Sequence, residues 1–229
     1  MNIAIIPARG GSKRISRKNI REFVGKPIIA YSIEKAISSN LFDKVIVSTD
    51  DSEIKNISKK FGADVPFVRP DSLSDDFAST TSVIAHAIKW MKSQKWALDS
   101  ICCIYPTSPL LDLDYLKKGY DIFYKSNWDY VFSATEYNYP VGRGFMSLDN
   151  NGLKMVFPEN IDQRSQDLAP VFHDAGQFYW GTIKSWIEHK PIFSEKSFIL
   201  IIPSHMVVDI DTEDDWCRAE LTFKVLKGK

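Results

Sequence analysis

Ile3-Ala4-Ile5-Ile6-Pro7-Ala8-Arg9-Gly10-Gly11-Ser12-Lys13-Arg14 is the stretch on which the fold turns. Four apolar residues in a row, stopped by proline, read as a strand buried on both faces. The segment after it is polar and holds two adjacent glycines, so its backbone can turn sharply and approach a ligand with no Cβ in the way. Arg9, Lys13, Arg14, Arg17 and Lys18 place five cations within ten residues. Amide N–H groups with fixed cations at a strand end suit a polyphosphate, and a solvated basic loop is the plain alternative. The stretch lacks Gly-x-x-x-x-Gly-Lys-Ser/Thr and Gly-x-Gly-x-x-Gly, which argues against P-loop and nicotinamide chemistry.

The same strand pattern recurs downstream. Val45-Ile46-Val47 ends at Ser48-Thr49-Asp50-Asp51, and Ile101 to Tyr105 ends at Pro106-Thr107-Ser108-Pro109. Between them, 27–39, 52–61 and 79–96 carry helical spacing, with Asp51 or Ser52 as a cap and Gly62 as a stop. Asp64 to Val68 reads as a further extended stretch. Strand–helix alternation with short apolar strands predicts an α/β fold with a mainly parallel sheet covered on both faces. Ligands gather at the C-terminal edge of such a sheet, where these polar motifs fall.

The rhythm changes over 136–172, which is rich in Asn, Gly and Pro and holds a hairpin turn at Asn150-Asn151-Gly152. It reads as an excursion from a single domain spanning 1–229, suited to covering substrate or to dimer contact. Strands are expected again at 176–180 and 198–202, and a closing helix at 212–225.

With 229 residues, 44% hydrophobic and 25% charged, the chain can bury a sizeable core, which excludes a disordered protein. Lys+Arg and Asp+Glu are 29 each, so no basic surplus favours nucleic acid or anionic membrane. Three cysteines without a pairing pattern, and no leader or spanning segment, predict a cytoplasmic protein with reduced thiols.

Asp209-Ile210-Asp211 follows Val207-Val208. In a strand the two carboxylates would share a face and converge on one cation, and hard oxygens suit Mg²⁺. Helix capping is the other reading for the acidic residues that follow. Asp50 can reach a phosphate-bound metal, and Arg69 can donate a planar N–H set to a base or phosphate. Gln177 and Tyr179 share a strand face and offer polar groups to a sugar, whereas Phe178 and Trp180 face the core. His86 reads as structural, and His173 is a weaker candidate on pattern alone.

Taken together, Ile6-Pro7-Ala8-Arg9-Gly10-Gly11-Ser12-Lys13 with Lys18-Asn19-Ile20 resembles the nucleotide-binding signature of the acylneuraminate cytidylyltransferases, the CMP-sialic acid synthetases. The blocks Val47 to Asp51, Arg69-Pro70 with Leu73 to Asp76, Pro106 to Pro109, Gly176 to Tyr179 and Asp209 to Thr212 follow in that family's order. His173-Asp174-Ala175-Gly176-Gln177-Phe178-Tyr179-Trp180-Gly181, with Gln166-Asp167, is most similar to the pseudaminic acid branch. Two departures stand out: Tyr105 occupies a position where sialic acid synthetases carry Gln, and Ser16 one where relatives carry Pro.

The resemblance implies a Rossmann-like nucleotidyltransferase fold and a homodimer. It also implies a reaction in which CTP and a nine-carbon keto sugar acid give a CMP-sugar and pyrophosphate. By it, Ala8, Arg9, Gly10, Gly11, Ser12, Lys13, Lys18 and Asn19 surround the nucleotide, with Arg9 and Lys18 catalytic. Arg69 and Thr80 read the base. Tyr105, His173, Gln177 and Tyr179 face the sugar, and Asp209 and Asp211 hold Mg²⁺. N-acetylneuraminate, legionaminate or Kdo as the sugar, and a nucleotide-binding module without catalysis, are the competing readings. For the hydroxyl proton, a metal-bound hydroxide and the sugar's own carboxylate both fit as acceptors.

Overall fold

The computed structural model describes residues 1–149 and 151–228. Its strands are β1 (Asn2–Pro7), β2 (Glu22–Phe23), β3 (Lys26–Pro27), β4 (Lys44–Ser48), β5 (Ser100–Ile104), β6 (Tyr130–Glu136), β7 (Phe145–Ser147), β8 (Leu153–Met155), β9 (Phe172–Gly181) and β10 (Ser197–Ile201). The helices are α1 (Ile28–Ser38), α2 (Ser52–Lys60), α3 (Thr80–Ser93), α4 (Leu113–Tyr124), α5 (Ile183–Ile187) and α6 (Glu213–Lys227).

Six strands form one sheet in the order β10-β6-β9-β5-β1-β4. β1 pairs in parallel with β4 and β5, and β10 with β6, while β9 runs antiparallel to both its neighbours. The expected mainly parallel α/β sheet is therefore present, with β9 as its reversed strand. That reversal has a functional consequence. The C-terminal ends of β1, β4 and β5 lie at one edge of the sheet, and β9 begins at that same edge with His173 and Asp174.

Each face of the sheet has its own core. Ala4, Ile6, Val45, Val47, Cys102 and Trp180 pack with Ile29 and Ile33 of α1, Ile54 of α2 and Leu116 of α4. Ile3, Ile5, Ile101, Cys103 and Tyr179 pack with Ile84, Ile88 and Met91 of α3 and Trp186 of α5. Phe178 and Trp180 are fully buried, as their strand face predicts. Cys102 and Cys103 are buried and unpaired, and burial raises both thiol pKa values. A third apolar cluster joins Ile15 and Phe23 to Ile210, Trp216 and Phe223.

Several boundaries differ from the sequence expectation. α4 was not expected, although Asp112 caps it by accepting from the Asp114 N–H at 2.8 Å. α5 is a short turn capped by Thr182. Residues 64–68 form no strand, only a bridge at Asp64 to Ile46. The region 207–211 is irregular rather than β, because β10 ends at Ile201 and a 3-10 turn at Ser204–Met206 redirects the chain away from the sheet. In the excursion, β7 and β8 form the expected hairpin, with Asn150 of its turn outside the described residues. Glu136 and Phe172 are themselves a paired rung of β6 and β9, so the excursion leaves and re-enters through one β-ladder.

Candidate active site

The loop after β1 is held against the sheet edge by short polar ties. The Ala8 N–H donates to the Ser48 carbonyl at 2.9 Å, and the buried Asn19 amide donates to the Arg9 carbonyl at 2.9 Å. Gly10 sits so close to α2 that a Cβ there would lie 2.6 Å from Asp51 Oδ2, so only glycine fits. The Gly10 N–H donates to Asp50 Oδ1 at 3.2 Å, which gives Asp50 a partner within the loop.

Acidic residues from three places receive the loop's cations. Arg17 pairs with Asp51 and Glu53, both at 2.6 Å. Arg9 and Lys13 converge on Asp76 at 2.8 and 2.6 Å, and the Lys13 hydrogen bond is the main cause that holds the Asp76 carboxyl below its ordinary pKa. Arg14 reaches Asp211 at 2.8 Å. Lys18 Nζ donates to the Ile210 carbonyl at 2.6 Å and approaches Asp211 Oδ1 at 3.4 Å. The basic loop and the acidic pair, far apart in sequence, thus meet. Exposed ion pairs contribute only about 0–1 kcal/mol each, so an arriving polyphosphate can take over these cations.

Arg9, Ser12, Lys13, Arg14 and Lys18 line a cavity of about 460 Å³. Arg69, Thr80, Tyr105, Pro106 and Thr107 line the remainder, and Asn19 also contributes. The lining thus combines loop cations, the hydroxyls of Ser12, Thr80, Tyr105 and Thr107, and a planar guanidinium, where burial, and then the charge of nearby Arg9, lowers the Arg69 pKa. Arg69 is 4% exposed; burial lowers its pKa to about 10, partly offset by Asp50. Its Nη2 donates to the Ser48 carbonyl at 2.6 Å, while its Nε has no partner among the described residues. Ala8, Gly10 and Gly11 shape the loop without lining the cavity.

The sugar candidates separate. Tyr105 lines both this cavity and a second of about 410 Å³ with Thr80, Asp174 and Tyr179. His173 lines a third, of about 480 Å³, which shares Asp174 and Phe193 with the second. Gln177 is buried and donates to the Met206 carbonyl at 2.7 Å, which braces the segment leading to Asp209. Asp174, which sequence reasoning left beside His173 without a role, emerges as a member of the site.

Asp209 is exposed, and Asp211 is partly so. Although the residue as a whole is exposed, partial desolvation of its carboxylate, followed by the Asp211 charge, raises the Asp209 pKa. Two hard carboxylates close enough to repel one another suit a divalent cation that completes its shell with phosphate oxygens and water. Among the described residues no group of three His, Cys, Asp or Glu side chains forms a fuller protein cage.

A sequence model of the family described as cytidylyltransferase matches residues 3–214. The chain is 48% identical to the pseudaminic acid cytidylyltransferase of Campylobacter jejuni, over 98% of this chain and 97% of that protein. It is 31% identical to the CMP-N,N'-diacetyllegionaminic acid synthase of Legionella pneumophila, over 95% and 94% respectively. Among solved structures, CMP:2-keto-3-deoxy-manno-octonic acid synthetase in complex with CTP superposes with a TM-score of 0.72 at 14% identity. That alignment covers 100% of this chain and 99% of the other, and it identifies the fold as the Rossmann-like nucleotidyltransferase type.

Asp51 joins loop and fold, since it also caps α2 by accepting from the Glu53 and Ile54 N–H groups at 2.9 Å. Asp51→Ala should cost about 1–2 kcal/mol in urea unfolding at neutral pH. Its hydrogen bond from Arg17 is the main cause that depresses its pKa below the ordinary 3.8. The stabilisation is therefore fully present above pH 3.8 and lost as pH falls through the lower folded-state value. The gap between wild type and variant should close in acid; a constant gap would refute the linkage.

Proposed function

The chain belongs to the cytidylyltransferase family and is a CTP-using nucleotidyltransferase, and from that premise we propose that it activates pseudaminic acid as its CMP-sugar. The observation that carries the reading is the meeting of Lys18 with Asp211 beside a cavity lined by loop cations. Pseudaminic acid is favoured over other nonulosonic acids by the 48% identity with the Campylobacter protein, against 31% with the legionaminic acid synthase.

Both substrates are anions, so their encounter is repulsive until positive charge offsets it. Arg9, Ser12, Lys13 and Arg14 hold the triphosphate, with Lys18 facing the α-phosphate. The base lies toward Arg69 and Thr80. Asp209 and Asp211 would hold Mg²⁺, which would neutralise phosphate charge. The sugar's anomeric hydroxyl attacks the α-phosphorus in line, the bond to the bridging oxygen breaks, and pyrophosphate departs. The hydroxyl's proton passes to the sugar's own carboxylate, which the substrate itself supplies. Tyr105 and Tyr179 contribute to the sugar side, with His173 in the adjoining cavity.

The domain reading, one unit over 1–229 with 136–172 as its excursion, accompanies this proposal. We assign the excursion to a homodimer contact, because Tyr139, Phe145, Leu153 and Ile161 expose 85, 66, 64 and 58% of their surface on it. The buried free thiols fit a reducing, cytoplasmic setting. No helix among the described residues is long and apolar enough to cross a membrane.

Pyrophosphate release with CTP should be fastest with pseudaminic acid in a panel that includes N-acetylneuraminate, legionaminate and Kdo. Preference for another acid would overturn the sugar assignment, and binding of CTP without turnover of any would favour a non-catalytic module. Lys18→Ala should lower kcat about 100-fold or more with a smaller change in KM for CTP, since its charge meets the transition state. A change confined to KM would make it a binding residue only. Asp209→Asn should weaken the Mg²⁺ dependence of turnover while the folded far-UV signal persists; an unaltered Mg²⁺ titration would remove Asp209 from the metal site.

A further inference from the structure

Gln177 spends its amide on the backbone of a distant segment. The residue is 4% exposed, and its Nε2 donates to the Met206 carbonyl at 2.7 Å. It lines none of the three cavities described above, although Tyr179, two residues on, lines one of them with Tyr105 and Asp174. An amide buried this deeply needs a partner, and the partner it has belongs to the chain that carries the acidic pair.

Met206 closes the 3-10 turn Ser204–Met206, and Asp209 and Asp211 follow three and five residues later. The downstream end of this stretch is fixed several times over. Ile210 is buried in the apolar cluster with Phe23 and Trp216, and its carbonyl accepts from Lys18 Nζ at 2.6 Å. The Asp211 and Thr212 N–H groups donate to Asp215 Oδ2, at the start of α6, at 3.2 and 2.9 Å. Upstream, the Val207 N–H donates to the Ser204 carbonyl within the turn at 3.1 Å, and the Gln177 amide ties that turn to the sheet. Between the two ends, Val208 and Asp209 make no backbone hydrogen bond among the described residues.

Two carboxylates can share one small divalent cation only if their oxygens converge on it from the right directions. Their like charges favour separation, so the backbone has to hold them together before the cation arrives. Asp211 is held from downstream. Asp209 stands between that anchor and the Gln177 tether, on a span that no ladder supports.

We propose that Gln177 is a positioning residue for the metal-holding pair, fixing the Met206 carbonyl and through it the place of Asp209 relative to Asp211. The inference rests on the reading of Asp209 and Asp211 as Mg²⁺ ligands. It gives Gln177 a role other than the sugar contact that the family resemblance implies.

Gln177→Met keeps the length of the side chain and removes the donor without adding charge. Mn²⁺ titrated against the protein alone, followed by loss of the free-ion EPR signal, reads the site without nucleotide, sugar or turnover. Gln177→Met should weaken Mn²⁺ binding about 10-fold, the scale of losing a residue that orients a metal ligand. The Mg²⁺ needed for half-maximal pyrophosphate release should rise by a similar factor, with KM for the sugar within about twofold of wild type. Asp209→Asn should also weaken Mn²⁺ binding, and adding Gln177→Met to it should change little further, because Gln177 acts through Asp209.

Mn²⁺ affinity within about twofold of wild type in folded Gln177→Met would overturn the proposal. A raised sugar KM would then mark a sugar contact, and a lowered Tm alone a merely structural amide. Additive losses in the double variant overturn it too. Should Gln177→Met fail to fold, the wild type decides: the Gln177 side-chain N–H₂ resonances should shift as Mg²⁺ is added, and resonances that stay put overturn the tether. Unaltered Mn²⁺ affinity in Asp209→Asn would sink the metal reading itself, whereas a loss in Asp209→Asn with none in Gln177→Met sinks only the role of Gln177.

Discussion

Two isoleucines hold the two charged halves of this site together. Ile15 lies in the basic loop and Ile210 between the two acidic residues, each 1% exposed and in one apolar cluster with Phe23 and Trp216. Burial of an aliphatic side chain is worth about 1.5–3 kcal/mol, more than the exposed ion pairs around it. The apolar contacts therefore set the geometry, and the ion pairs adjust to it. That order suits a binding site, because the cations remain available while the backbone beneath them stays fixed.

The same division of labour recurs across the cavity. Arg17 is the loop cation most committed to structure, tied to the capping residue of α2. Lys13 and Arg14, with side chains 80 and 69% exposed, hold their partners loosely and face the cavity. Arg69 is the opposite case, a buried guanidinium whose planar donors are partly used by backbone carbonyls. A buried guanidinium held by backbone carbonyls and exposed, loosely paired cations therefore line one cavity.

The reversed strand explains how the second half of the chain reaches the site at all. A sheet of parallel strands alone would present only strand ends at this edge. Because β9 runs the other way, it begins there, and Gly176 with φ of +61° interrupts its ladder where the register with β6 shifts. That irregularity lets the Asp174 side chain accept both the Gly176 N–H and the Tyr179 hydroxyl, two and five residues onward. The excursion departs from the β6–β9 ladder at the Glu136–Phe172 rung, beside the cavity that His173 and Asp174 line.

Apolar runs and turn residues were sufficient to read the strands at 2–7, 44–48 and 100–104, the helices that follow the first two, and the basic loop after β1. Each depends on neighbours within a few residues, so local sequence carries the information. The overlooked α4 had the same local signals, a capping Asp112 followed by Leu113 and Leu116. The segment 207–211 misled for a different reason: its apolar–acidic alternation is that of a strand, yet no sheet edge is there to receive it. Asp174 was legible only as a neighbour of His173, since its bond from Tyr179 spans the break in β9 at Gly176 and the cavity it lines with Tyr105 joins β9 to the end of β5. By itself the sequence determined the residue types of the site and the strands that carry them. Tertiary structure alone decided which charges meet, which hydroxyls align and which face of β9 looks into the cavity, because those depend on apolar contacts and strand direction between segments up to two hundred residues apart.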